Sequence, residues 1–178
     1  MSHNAYVWNE DMDPEAGMMR LVFGLGTRAV DRVEDDYPRL VALDNPLLRP
    51  DSRFEDIRKF SQHKVDVLDV TLNDNATILL RDIYNPDAKF PVWDLLAVRD
   101  HETDRKIKDL GYCAPSSWIL TFDKLMVKTD FPQIVKQILK KLEAAYKYPV
   151  DIEFTTNFSN GSGFEINLLQ CRPFQVQM

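Results

Sequence analysis

Asp151, Glu153, Gln170 and Arg172 are the side chains of this sequence whose types and spacing suit polar chemistry. They lie in two alternating runs, Pro149-Val150-Asp151-Ile152-Glu153-Phe154 and Ile166-Asn167-Leu168-Leu169-Gln170-Cys171-Arg172-Pro173. Both runs are rich in β-branched or large apolar residues and read as strands. The polar stretch 157–163 between them carries Asn160-Gly161 and Ser162-Gly163, which favour a reversal of direction. A hairpin centred between Gly161 and Ser162 sets Glu153 opposite Gln170 and Asp151 opposite Arg172. Residues two apart on a strand share a face. Two carboxylates, an amide and a guanidinium therefore gather on one side, while Val150, Ile152 and Phe154 point to the other. A carboxylate with an amide oxygen suits a hard cation such as Mg²⁺, and a neighbouring arginine suits the phosphate oxygens that such a cation bridges. An exposed polar face closed by a cross-strand Asp–Arg pair fits the same residues.

Such a face needs a rigid support. The sequence predicts a helix from Pro132 to Tyr146, capped by Thr129 or Asp130, with Pro132 in its first turn. Ile134, Val135, Ile138, Leu139, Leu142, Ala145 and Tyr146 form one stripe, with Lys136, Lys140 and Lys141 on the outer side. The stripe reads as core that packs behind the sheet and steadies the following hairpin. Upstream, Met18 to Phe23 reads as a buried strand running into Gly24-Leu25-Gly26, where a tight turn is the simpler role than phosphate binding. Tyr37 to Leu43 is a further strand, and Arg53 to Phe60 a short helix with Asp51 or Ser52 as N-cap. Lys64 to Thr71 and Ala76 to Ile83 alternate across Asn73-Asp74-Asn75 as a second hairpin. Asp100 to Lys108 is a charge run that reads as a solvated loop or helix face, and Trp118 to Phe122 is a strand. The first eleven residues, with Tyr6 and Trp8 expected to be exposed, read as a segment cut from something larger.

The 178 residues, 44% of them hydrophobic, suffice for one domain with its own core. A formal net charge of −6 argues against a nucleic-acid partner, although an acidic chain can bind a polyphosphate accompanied by a divalent cation. Cys113 and Cys171 make neither a disulfide framework nor a zinc site, and Cys171 reads as a buried apolar thiol. His3, His63 and His101 stand apart, without metal spacing, and read as surface or satisfied histidines. Neither a signal peptide nor a membrane-spanning run appears, so a cytoplasmic location and no membrane partner are expected.

The sequence "PVDIEF…LLQCRP" resembles the end of the nucleotide-binding domain of phosphoenolpyruvate synthase and pyruvate phosphate dikinase, a version of the ATP-grasp fold also found in rifampin phosphotransferase. The family pattern is Asp-Ile-Glu-aromatic, a hairpin loop, then Gln-x-Arg-Pro. Asp13-Pro14-Glu15-Ala16-Gly17 and Phe23-Gly24-Leu25-Gly26 resemble its "DP-x-x-G" and "GLG" stretches, in the expected order. The family usually carries an acidic residue after the GLG, where this chain has Thr27-Arg28. The glycines are therefore not assigned to the nucleotide.

The resemblance implies a single α+β domain over 1–178, mainly antiparallel sheet with one long packing helix, similar to the second lobe of an ATP-grasp domain. It implies ATP and Mg²⁺ as cofactors and phosphoryl transfer to a histidine on a mobile carrier domain, ultimately to pyruvate. Glu153 and Gln170 would hold the metal and Arg172 the transferring phosphoryl group. Asp151 would orient Arg172 or a metal-bound water. The implied partners are the His-carrier domain, the pyruvate/phosphoenolpyruvate domain and a first ATP-grasp lobe. Only a dozen residues precede the Asp-Pro-x-x-Gly stretch, so the chain is expected to be the C-terminal portion of the family domain, a partial ATP-grasp fragment inactive alone. A rifampin-phosphotransferase-like enzyme with another acceptor, and a non-catalytic binding module, are the rival expectations.

Overall fold

A computed structural model describes residues 7–30, 36–50, 53–83, 92–113, 116–159 and 163–174. The expected roles of Tyr6, His3, Asp51, Ser52 and the turn residues Asn160, Gly161 and Ser162 lie outside them. Along the chain the elements are β1 (Met18–Leu21), α1 (Thr27–Val30), β2 (Arg39–Ala42), α2 (Phe54–Lys59), β3 (Lys64–Asp69) and β4 (Asp74–Leu79). There follow α3 (Leu80–Ile83), α4 (Trp93–Leu96), β5 (Ala97–Arg99), α5 (His101–Asp109), β6 (Trp118–Leu120), α6 (Asp123–Lys128), α7 (Phe131–Tyr146), β7 (Val150–Phe158) and β8 (Phe164–Pro173). The fold is α+β. Its described strands form four two-stranded sheets, β1-β2, β3-β4, β5-β6 and β7-β8, instead of one continuous sheet. The last three are antiparallel.

By its contacts the chain divides into two compact units, one of 1–19, 40–50 and 125–178, the other of 20–39 and 51–124. In the first unit, α7 starts where the sequence placed it. Asp130 takes the N-cap position without a side-chain bond, and the Thr129 hydroxyl instead accepts from the Phe131 N–H at 3.2 Å. Pro132 sits in the first turn, where its missing N–H costs nothing. Phe131, Pro132, Val135 and Leu139 are buried, but Ala145, Tyr146 and Ile134 are exposed, so the stripe is core only in part. Phe131 packs on Phe154 of β7 and Phe164 of β8, with ring centroids at 6.2 and 5.5 Å. The start of the helix thus braces the hairpin as expected. Trp8 is half-buried, which corrects its reading as an exposed aromatic.

In the second unit the β3-β4 hairpin turns earlier than the asparagines suggested. Asp69 pairs with Asp74, so the turn is Val70 to Asn73. The Asp69 carboxylate accepts from the Thr71 and Leu72 N–H groups at 2.8 and 3.0 Å, and Asn73 adopts φ +53°. An Asx-type turn therefore outcompetes the three-residue Asn-Asp-Asn loop. β4 also stops at Leu79, and Leu80 to Ile83 is a helical turn instead of strand. The N-cap position of α2 is Arg53, with no side-chain cap. The charge run from Asp100 is helix α5, in which no residue is buried. Its N-cap is Asp100, which accepts from the Thr103 N–H and hydroxyl at 3.1 and 2.6 Å. The core of this unit includes Val65, Leu96, Ala97 and Leu120, and Trp93 meets Phe23 and Trp118 edge to face.

Candidate functional site

The register of the β7-β8 hairpin sets Asp151 opposite Arg172 and Glu153 opposite Gln170, as read from the sequence. The path to that register is different. Toward the tip Phe158 pairs with Phe164, one residue earlier on β8 than the Glu153–Gln170 register extended along the strands would give. Pairing stays in that tip register down to Phe154 opposite Leu168, and then a bulge intervenes. Leu169 is the extra residue, and below it the pairs shift by one to Glu153–Gln170. Without that bulge, the register of the tip pairs would have set Glu153 opposite Leu169.

Cross-strand partners share a face, so the four polar side chains converge. Arg172 donates from Nε and Nη2 to Asp151 Oδ2 at 3.1 and 2.8 Å, and its Nη2 lies 4.0 Å from Glu153 Oε1. All three are open to solvent, with 53%, 43% and 40% of the side-chain area exposed for Arg172, Asp151 and Glu153. Gln170 is exposed as well. The hydrogen bond and charge of Asp151, with a smaller effect from Glu153, raise the pKa of the Arg172 guanidinium. Cys171, on the opposite face, is half-buried, not fully buried as expected, and Cys113 is exposed. His63 and His101 are at the surface.

The donor set fits the cation and phosphate that the sequence pattern implied. A carboxylate and an amide face each other across one rung, beside a guanidinium whose Nη2 lies 4.0 Å from that carboxylate. Mg²⁺ typically takes one or two protein oxygens and completes its shell with phosphate and water. No cluster of three acidic, histidine or cysteine ligands able to cage a metal occurs among the described residues.

The Gly24 turn has a packing role. Gly24 holds φ +97°, and a Cβ there would lie 2.5 Å from Val65 Cγ1 and 2.6 Å from the Asp66 carbonyl oxygen. The Leu25 N–H donates to that same carbonyl at 2.9 Å. Only glycine fits so close an approach. In the Asp13 loop, Asp13 Oδ1 accepts from the Glu15 N–H at 2.9 Å and the Asp13 N–H donates to Asp44 at 2.7 Å. Gly17 takes φ +88°, and its carbonyl receives the Leu43 N–H at 3.0 Å.

Sequence reasoning missed a buried ion cluster built on Arg28. Arg28 Nη1 meets Asp36 at 2.6 Å and Nη2 meets Asp66 at 3.0 Å. Asp36 also accepts from the His63 and Lys64 N–H groups at 2.5 and 3.3 Å. Asp66 accepts from the Thr27 and Thr77 hydroxyls, each at 2.6 Å. Burial would push the Asp66 carboxyl up, but these hydroxyls and Arg28 outweigh it and hold the pKa below the usual range. A second missed group joins Arg58 to Asp100 at 2.5 Å and to Glu102 at 3.1 Å. There the hydrogen bonds that Arg58 donates to Asp100 raise the Arg58 pKa against the effect of burial.

Fold and site together define an α+β chain that ends in a braced hairpin with two carboxylates, an amide and a guanidinium on one open face. A family model described as "Pyruvate phosphate dikinase, AMP/ATP-binding domain" matches residues 6–178, and the chain belongs to that family. No curated protein and no solved structure gives a significant match. The family match corrects the expectation of a C-terminal portion. It starts at residue 6 and reads through 27–150, where the legible motifs fell silent, as part of the N-terminal, AMP/ATP-binding domain. Among the described residues no helix is long and apolar enough to cross a membrane.

Proposed function

We propose that this chain is an ATP-grasp-like, ATP-binding domain of a phosphoenolpyruvate synthase or pyruvate phosphate dikinase-like enzyme. In that enzyme a phosphoryl group passes from ATP to a carrier histidine on another domain, and ultimately to pyruvate. The observation that carries the reading is the convergence of Asp151, Glu153, Gln170 and Arg172 on one open face of a braced hairpin. Glu153 and Gln170 would hold Mg²⁺, which would supply charge neutralisation to the phosphate. Arg172 would donate its planar fork to the transferring group. Asp151, bonded to two guanidinium nitrogens, would fix the fork's direction. The family membership supports nucleotide binding, and the donor set supports a metal-accompanied phosphate.

The test is steady-state kinetics of the full-length enzyme across a magnesium titration. Arg172→Lys keeps the charge and loses the fork, so kcat should fall by about two to three orders of magnitude, with KM for ATP nearly unchanged. Glu153→Gln should raise the Mg²⁺ requirement and recover in part at high Mg²⁺. Wild-type kcat for Arg172→Lys would reduce the hairpin to a cross-strand ion pair.

A further inference from the structure

Leu169 is a residue the hairpin could do without. The tip register and the base register each keep their alternation, and Leu169 is the one residue inserted between them. Removing it would join Leu168 directly to Gln170. Phe154 would still face Leu168, Glu153 would still face Gln170, and Asp151 would still face Arg172. The pairing therefore does not need it. The core does not need it either, because Leu169 is 64% exposed. The insertion nonetheless interrupts the ladder between the Phe154 and Glu153 rungs, beside the rung that carries the proposed metal ligands.

A bulge adds local right-handed twist and re-aims the side chains beside it. Beyond this one lie Gln170 and Arg172. Arg172 reaches its direct partner Asp151 at 2.8 Å and also comes within 4.0 Å of Glu153, one same-face step further along β7. We propose that Leu169 is a positioning residue: the bulge it creates, through the backbone, aims Gln170 and Arg172 toward Glu153 so that the three can meet one metal–phosphate group. The inference rests on the nucleotide reading above. It assigns the work to the extra backbone unit and not to the leucine side chain.

The experiment compares four forms of this chain: wild type, Leu169→Ala, the Leu169 deletion, and a relocation variant. The relocation variant lacks Leu169 but has alanine inserted between Asn167 and Leu168, which moves the bulge toward the tip. Each is titrated with ATP and Mg²⁺ at millimolar concentrations, following by NMR the amides of Asp151, Glu153, Gln170 and Arg172. The Arg172 Nε–H resonance is followed too, assigned by its disappearance in Arg172→Lys. Melting temperatures are measured alongside. Leu169→Ala, which keeps the bulge, should titrate within about twofold of wild type. The deletion and the relocation should keep their melting temperatures, bind at least about tenfold more weakly, and shift the Arg172 Nε–H already without ligand.

Wild-type binding by both the deletion and the relocation overturns the inference and leaves the nucleotide reading standing. Equal losses in Leu169→Ala and the deletion also overturn it, since the side chain would then be the active part. If the deletion does not fold, the relocation alone decides, and unfolding of both makes the bulge a stability element and overturns the proposal. A wild-type chain whose hairpin resonances ignore ATP and Mg²⁺ overturns the nucleotide reading and the inference with it.

Discussion

Arg28 and Arg172 each face two carboxylates, in opposite surroundings. Arg28 is 8% exposed, and one of its partners, Asp36, is 1% exposed. Those carboxylates also receive two hydroxyls and two backbone N–H groups from Thr27, Thr77, His63 and Lys64. Arg172 stands half in water, and its two carboxylates are more than a third exposed. A buried cluster whose carboxylate oxygens all accept hydrogen bonds has none to offer a ligand, and breaking it leaves a charge without solvent. An open cluster contributes little to folding and keeps its donors available. The difference separates a structural arginine from a candidate functional one, although both look alike as Arg–Asp pairs.

The largest effect should come from the buried cluster. Arg28→Met removes the cation between two carboxylates and should destabilise the fold by about 3–5 kcal/mol, read as a lowered urea midpoint. A loss comparable to that of an exposed pair would erase the contrast. Arg58 is intermediate, with Asp100 nearly fully buried and Glu102 open. Arg58→Ala should cost about 2 kcal/mol, the scale of a charged hydrogen bond.

Acid sharpens the same comparison. The carboxyl of Asp66 sits below its ordinary pKa, and so does that of Asp100, where burial pushes up but Arg58 and Thr103 win. A depressed folded-state pKa contributes stability that is present above the unfolded value, about 3.9. That contribution is lost as pH falls through the folded value. Melting temperature should therefore be flat from pH 7 to about pH 5 and drop below about pH 4. Asp66→Asn should lower the plateau and flatten the acid drop. An unchanged acid slope in that variant would remove Asp66 from the cluster's energetics.

These contrasts show what was legible in the sequence. The hairpin's polar face could be read because alternation and short-range order fix it, and both arms are long. The pairing register toward the tip was off by one and the bulge unseen. The two errors cancelled at the base, since an extra residue in β8 leaves no mark in an alternating pattern already broken by Leu168-Leu169. The helix α7 was legible through its cap, proline and period. The Arg28 cluster was not, because Asp66 lies far along the chain from both Arg28 and Asp36 and only tertiary packing brings the three together. The turn of β3-β4 was misread because the Asp69 side chain, not the Asn-rich stretch, organises it.

The smallest effect is the most informative about Arg172. Asp151→Asn keeps the shape of the side chain and a carbonyl oxygen that can still accept from the guanidinium, but removes the charge. In the exposed setting the lost attraction is offset by solvent and by Gln170 and Glu153 nearby, so the melting temperature should not change measurably. The Arg172 pKa, raised first by Asp151, should move back toward its ordinary value, far above any working pH, so its charge is unaltered. What changes is direction. With Asp151 neutral, the nearer pull on the guanidinium becomes Glu153, now at 4.0 Å, and the fork should swing toward the proposed metal ligand. In the proposed enzyme kcat should then fall while the midpoint of urea unfolding stays fixed, and added Mg²⁺ should restore part of the loss by competing for Glu153. A variant that instead unfolds earlier, with its activity per folded molecule intact, would place the Asp151–Arg172 pair with Arg28–Asp36, among the pairs that hold the fold.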